Sequence, residues 1–121
     1  MQIVLLSTDL MLASAAHGAA NRYDAKLIVA PNPSAALAAC SDAATRLIAI
    51  DLRTPGLDVG AFMTDLRAAS TSPIHVIASA PHVHEASLEQ AQQAGCDEVV
   101  SRGEFERRLA AVIDRLASVA G

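Results

Sequence analysis

The stretch Leu47-Ile48-Ala49-Ile50-Asp51-Leu52-Arg53-Thr54-Pro55-Gly56-Leu57-Asp58 passes from four consecutive apolar residues to a carboxylate, then to a proline and a glycine. A strand with one wet face alternates apolar and polar side chains. An unbroken apolar run suits a strand covered on both faces, the usual condition in a parallel sheet. Asp51 then stands where such a strand ends, and Pro55-Gly56 supplies a turn leading away from it. In open parallel sheets, reactive and ligand-binding groups gather at the carboxyl ends of the strands. Asp51 is therefore the first candidate site residue.

Working outward, similar runs occur at Gln2–Leu6, Lys26–Ala30, Arg46–Leu52, Ile74–Ser79 and Glu98–Ser101. Between them lie stretches of helical period. Leu10–Asn21 is Ala-rich, with Thr8 or Asp9 available as the N-cap. Asn32-Pro33-Ser34 opens a second helix, expected to run to Ala44, because proline in a first turn lacks only an amide that would go unpaired. Val59–Ala69 presents Phe62, Leu66 and Ala69 on one face. His84–Ala94 turns Leu88 and Ala91 inward and ends at Gly95, a candidate left-handed residue. Glu104–Val119 carries Phe105, Leu109, Val112, Ile113 and Leu116 at amphipathic spacing. Strands alternating with helices in this way predict a doubly wound α/β fold, a parallel sheet with helices on both faces in three α/β/α layers. One domain over residues 1–121 is expected.

Composition narrows the function. Of 121 residues 52% are hydrophobic and 18% charged, which suits a compact core and argues against disorder. The formal charge of −4 comes with no basic stripe, and one Tyr, two Phe and no Trp leave no stacking platform. Nucleic-acid binding is therefore not expected. No apolar run is long enough to span a bilayer, and no basic segment precedes a long apolar one. Neither membrane association nor a secretion signal is expected. Cys40 and Cys96 sit apart in unrelated contexts, consistent with a reducing cytoplasm. The turn Ser7-Thr8-Asp9-Leu10 after the first strand has no glycine, and no Gly-Lys-Ser or Gly-Lys-Thr loop exists, so a nucleotide site is disfavoured.

Three segments carry a resemblance. Asp51 to Asp58 is similar to the loop that follows the phosphate-accepting aspartate of bacterial response regulator receiver domains, Thr54 replacing a usually apolar residue. Ser79-Ala80 resembles the Ser/Thr-Ala pair ending their fourth strand. Ala94-Gly95-Cys96-Asp97-Glu98 resembles the Ala-Gly-Ala-Asp-Asp stretch leading into their fifth. The spacing holds over essentially the whole chain. The resemblance implies a flavodoxin-like sheet of order 2-1-3-4-5 with the first and last helices on one face. It also implies a phosphoacceptor position at Asp51, with Ser79 and Arg102 as switch and phosphate-contact candidates.

Departures accompany it. Ser7 and Thr8 stand where receivers have two adjacent acidic residues that hold a divalent ion, and Asp9 matches a nearby acidic position that more often caps the first helix. Arg102-Gly103 replaces the usual Lys-Pro, and Val99 replaces an aromatic residue. Magnesium wants hard oxygen ligands, one or two of them carboxylates. Asp51, the Arg53 carbonyl and Asp9 would make at most a weak site, and no cofactor is expected. Arg102 is expected instead to pair with Asp51.

The leading expectation is thus an atypical, non-enzymatic receiver in a two-component phosphorelay, acting through a protein partner. A homodimer through helix four, strand five and helix five would use the surface the family uses. The alternative is a working phosphoacceptor charged on Asp51 by a histidine kinase. A small-molecule-binding flavodoxin-like domain is a third reading, disfavoured by the absence of a glycine-rich loop or catalytic dyad. His82 and His84, beside Glu85, read as exposed loop residues rather than metal ligands. His75 reads as a satisfied, partly buried histidine, Cys96 as a small core residue, and Glu106, Arg107, Arg108, Asp114 and Arg115 as the wet face of the last helix.

Overall fold

A computed structural model describes the backbone of residues 1–120 and the side chains of residues 1–118. Five strands alternate with five helices: β1 Gln2–Leu6, α1 Leu10–Arg22, β2 Lys26–Ala30, α2 Pro33–Cys40, β3 Thr45–Asp51, α3 Val59–Ala69, β4 His75–Ala80, α4 Glu85–Gln93, β5 Glu98–Ser101 and α5 Phe105–Ala120. A short 3-10 turn at Arg102–Glu104 joins β5 to α5. The sheet is parallel throughout in the order β2-β1-β3-β4-β5.

The apolar runs of β1, β3 and β4 are buried on both sides, as the interior strands of a parallel sheet require, whereas the edge strands β2 and β5 are only partly covered and Val29 is exposed. Ile3, Leu5, Leu47, Ala49 and Ile77 face a layer made by α1 and α5, where Leu12, Ala16, Phe105, Leu109 and Ile113 pack. Val4, Leu6, Ile48, Ile50, Val76 and Ala78 face α2, α3 and α4, meeting Ala36, Phe62, Met63, Leu66 and Ala91. Successive strand residues thus feed opposite layers. No helix among the described residues is long and apolar enough to cross a membrane.

Local chemistry sets the helix ends. Asp9 caps α1 by accepting from the amides of Met11 and Leu12 at 2.8 and 3.2 Å. Asn32 caps α2 and Asp58 caps α3 in the same manner. Gly95 takes φ of 92° after α4, a conformation that disfavours any residue with a Cβ.

Several expectations need correction. α2 ends at Cys40 rather than Ala44. Ser41 Oγ donates back to the Ala38 carbonyl and Asp42 Oδ1 accepts from the Ala44 amide, so local side-chain bonds replace the helical ladder. Ala69 is exposed, and Met63 joins Phe62 and Leu66 as the third buried residue of α3. Leu88 is only half-buried, which leaves Ala91 as the fully buried residue of α4. β3 begins and ends one residue earlier than expected, and β4 one residue later.

Candidate functional site

The parallel topology brings the ends of β1, β3, β4 and β5 to one edge of the sheet, and with them Ser7, Asp51, Ser79 and Arg102. Asp51 is the last residue of β3, directly opposite Ser79 of β4 in the register, and both are buried. The loop after Asp51 is fastened from within. The Thr54 hydroxyl donates to the Asp51 carbonyl at 2.7 Å and lies 3.3 Å from the Leu6 carbonyl. The Leu52 amide bonds the Ser79 carbonyl at 2.9 Å, and Gly56 turns the chain with φ of 76°. Thr54, which reads in the sequence as a departure from an apolar position, is thus a hydrogen-bonding tie between the β3–α3 loop and β1.

Both carboxylate oxygens of Asp51 are occupied. The Ser7 hydroxyl donates to Oδ2 at 2.7 Å, and the Arg53 amide donates to Oδ1 at 3.0 Å. Ser7 Oγ in turn accepts from the Asp9 amide at 3.0 Å. A short relay therefore runs from the Asp9 amide through Ser7 to Asp51. Thr8 is exposed. Arg53 meets Asp51 through its amide, and its side chain lies outward.

Arg102 does not pair with Asp51. Its guanidinium bonds Asp9 Oδ2, joining the β1–α1 loop to the turn after β5. The strands beneath those two loops are separated in the sheet by β3 and β4, but α1 and α5 share one layer, and that layer brings the loops together. A carboxylate and a guanidinium at adjoining helix starts find each other more readily than the Ser7-bonded Asp51 does. The Arg102 bond, with the amides of Leu12 and Met11, holds the Asp9 carboxyl below its ordinary 3.8.

Two carboxylates stand at this edge: Asp51 accepts from Ser7 and Arg53, and Asp9 bonds Arg102 and the first turn of α1. No group of three or more His, Cys, Asp or Glu able to hold a metal occurs among the described residues. His82 and His84 lie exposed in the β4–α4 loop, outside any such group. Burial pushes the thiols of Cys40 and Cys96 up to about 11, the second with help from Asp97, which leaves neither poised as a nucleophile. One polar atom at the site stands out: buried Ser79 Oγ has no hydrogen-bond partner among the described residues. A buried hydroxyl without a partner ordinarily carries a cost.

No family model matches the chain, and no curated protein matches it in sequence. Solved structures do match in shape. The receiver domain of sensor histidine kinase PA1611 from Pseudomonas aeruginosa PAO1, whose active-site cleft coordinates a magnesium ion, superposes with a TM-score of 0.79 at 16% identity, covering 97% of each chain. The receiver domain of the Francisella response regulator 1452 gives 0.76 at 17% identity, over 99% of this chain and 98% of that one. The beryllofluoride-activated NtrC4 receiver domain, a dimer in solution, gives 0.79 at 14% identity, over 99% and 98%. The strand order, the helix placement and these superpositions agree: the chain has the fold of response regulator receiver domains.

Proposed function

We propose that this chain, over residues 1–121, is an atypical receiver of a two-component system that signals through protein contacts, with Asp51 an inherited phosphoacceptor position ill-equipped for phosphoryl transfer. One observation carries the reading: the Ser7 hydroxyl, standing where an acidic residue would help hold a metal ion, is hydrogen-bonded to Asp51 at 2.7 Å. Phosphoryl transfer spreads negative charge over the moving oxygens, and receivers rely on a divalent ion and a lysine to neutralise it. Here the carboxylates around Asp51 are too few for tight magnesium binding, and Arg102, in the lysine's place, is engaged by Asp9. A hydroxyl bonded to Asp51 favours one fixed arrangement of the β1–α1 and β3–α3 loops.

The output surface in this reading is α4, β5 and α5, where either a protein partner or a second copy would dock. The NtrC4 dimer shows that a domain of this fold self-associates. α4 exposes Glu85 and Glu89, and α5 exposes Glu106, Arg107, Asp114 and Arg115, a face of mixed charge. Nucleic acid and membrane have no comparable support, and the setting is the cytoplasm.

Ser79 favours a second reading, a receiver that a histidine kinase still phosphorylates on Asp51. Its buried hydroxyl, without a partner among the described residues and opposite Asp51 in the register, supports a phosphate contact in this reading. Incubation with acetyl phosphate and magnesium, read by intact mass, separates the two. The first reading expects no phosphoryl gain. A gain on the wild type that is absent from Asp51→Asn establishes the second.

A further inference from the structure

At the opposite end of the sheet, where β4 and β5 begin, a separate set of ionisable side chains meets around His75. The imidazole is mostly buried, its side chain 18% exposed. Its Nε2 lies 3.0 Å from Glu98 Oε2 on β5, and its Nδ1 lies 3.4 Å from Arg115 Nη2 on α5. Asp97 Oδ2, just before β5, is 4.0 Å from the same Nδ1. Glu98 is held from its other side by Arg108 of α5, whose Nε and Nη2 reach Oε1 at 3.0 and 2.6 Å. Asp97 also accepts from the Val76 amide at 2.8 Å and pairs with Arg67 of α3 at 3.3 Å. From β3, Arg46 lines the same cavity of about 320 Å³, with Leu116 of α5 as an apolar wall.

A guanidinium has donors and no acceptor. Arg115 therefore faces Nδ1 favourably only while that nitrogen keeps its lone pair, which places the ring proton on Nε2, donating to Glu98. Adding a second proton makes Nδ1 a donor that faces Arg115 with like charge. Asp97 is then the partner within reach. His75 is pinned in the sheet, whereas Arg115 is exposed and free to swing into water at little cost. We propose that His75 is a protonation-controlled tether: neutral, it fastens the later turns of α5 to β4 through Arg115; protonated, it turns to Asp97 and lets Arg115 go. The first half of α5 stays anchored by the Arg108–Glu98 pair and by buried Leu109, Val112 and Ile113. The change is therefore confined to the region after Ile113, within the face assigned above to partner contacts, but it does not depend on how Asp51 behaves.

The test is an NMR titration of nitrogen-15-labelled protein from about pH 8 to about pH 5, the range in which histidines change charge. At the alkaline end the His75 ring should read as the Nε2–H tautomer. As it protonates, the amides of residues 114–118 should shift with the ring's own midpoint, and their protection factors, taken relative to the intrinsic exchange rate at each pH, should fall severalfold. Arg115→Gln, a change at an exposed position, should leave the ring titrating while the helix response disappears. His75→Gln, which keeps a donor toward Glu98 but does not titrate, should also abolish the response. A wild-type ring in the Nδ1–H form, a silent α5, or an α5 response persisting in either variant would overturn the proposal.

Discussion

Serine has one proton to give, and Ser7 gives it to Asp51 in a buried bond of 2.7 Å. Removing that donor with Ser7→Ala leaves Asp51 Oδ2 buried without its partner, so urea denaturation should show a loss of about 1–3 kcal/mol. Arg102→Ala breaks a contact whose side chains are 31% and 27% exposed, and the expected loss is about 1 kcal/mol or less. If Arg102→Ala proves the costlier change, the Ser7–Asp51 bond is not the chief tie at this edge. Restoring carboxylates by Ser7→Asp with Thr8→Asp crowds like charge beside Asp51 while supplying what magnesium wants. That double variant should melt below the wild type without magnesium and regain its Tm as magnesium is added, with the wild-type Tm nearly indifferent to the ion. Equal magnesium dependence in both proteins contradicts the account of a depleted site. The sequence placed Asp51, Ser79, Ser7 and Arg102 at one edge because strand ends and parallel topology locate backbone. It could not assign their partners. Arg102 and Asp9 are 93 residues apart, and a long side chain chooses among neighbours by geometry that only the packed helices create.

The elements differ in how firmly they are held. α3 buries Phe62, Met63 and Leu66, and α5 buries Phe105, Leu109, Val112 and Ile113, whereas α4 has only Ala91 fully buried and no side-chain cap at His84. Local opening follows buried apolar contact. Amides of α4 should therefore exchange with solvent faster than those of α3 and of the first half of α5. Native-state hydrogen exchange tests this, and an α4 as protected as α3 refutes it. The same contrast explains which elements were legible. Runs such as Leu47–Ile50 declare themselves because both faces are covered, and Asn32-Pro33 marks a start by its own chemistry. The end of α2 was hidden, because Ala43 and Ala44 are good helix formers and the Ser41 and Asp42 bonds that stop the helix compete only weakly with it.

Two carboxylates tie helices to other elements through arginines: Asp9 at the start of α1 holds Arg102 after β5, and Glu98 of β5 holds Arg108 of α5. Burial alone would raise the Glu98 carboxyl, but the bonds from Arg108 and His75 outweigh it and hold it below its ordinary 4.5; Asp9 is held below 3.8. A group depressed on folding stabilises above its unfolded value and loses that contribution as pH falls through its folded value. Stability should therefore hold down to about pH 4.5 and decline below it, with Glu98 and Asp9 both contributing to the loss. Glu98→Gln should flatten that decline in pH-dependent thermal melts, and an unchanged slope would refute the assignment.

The place of β1 in the sheet has a bearing on how the chain is made. Gln2–Leu6 leaves the ribosome before both of its strand neighbours, Lys26–Ala30 on one side and Thr45–Asp51 on the other. Four wholly apolar side chains, Ile3 to Leu6, are thus synthesised before either strand that will flank them. At about 5–20 residues per second, the nascent segment spends seconds without its second neighbour. Translation speed between β1 and β3, or a chaperone at the exit tunnel, therefore bears on how long those side chains stay uncovered.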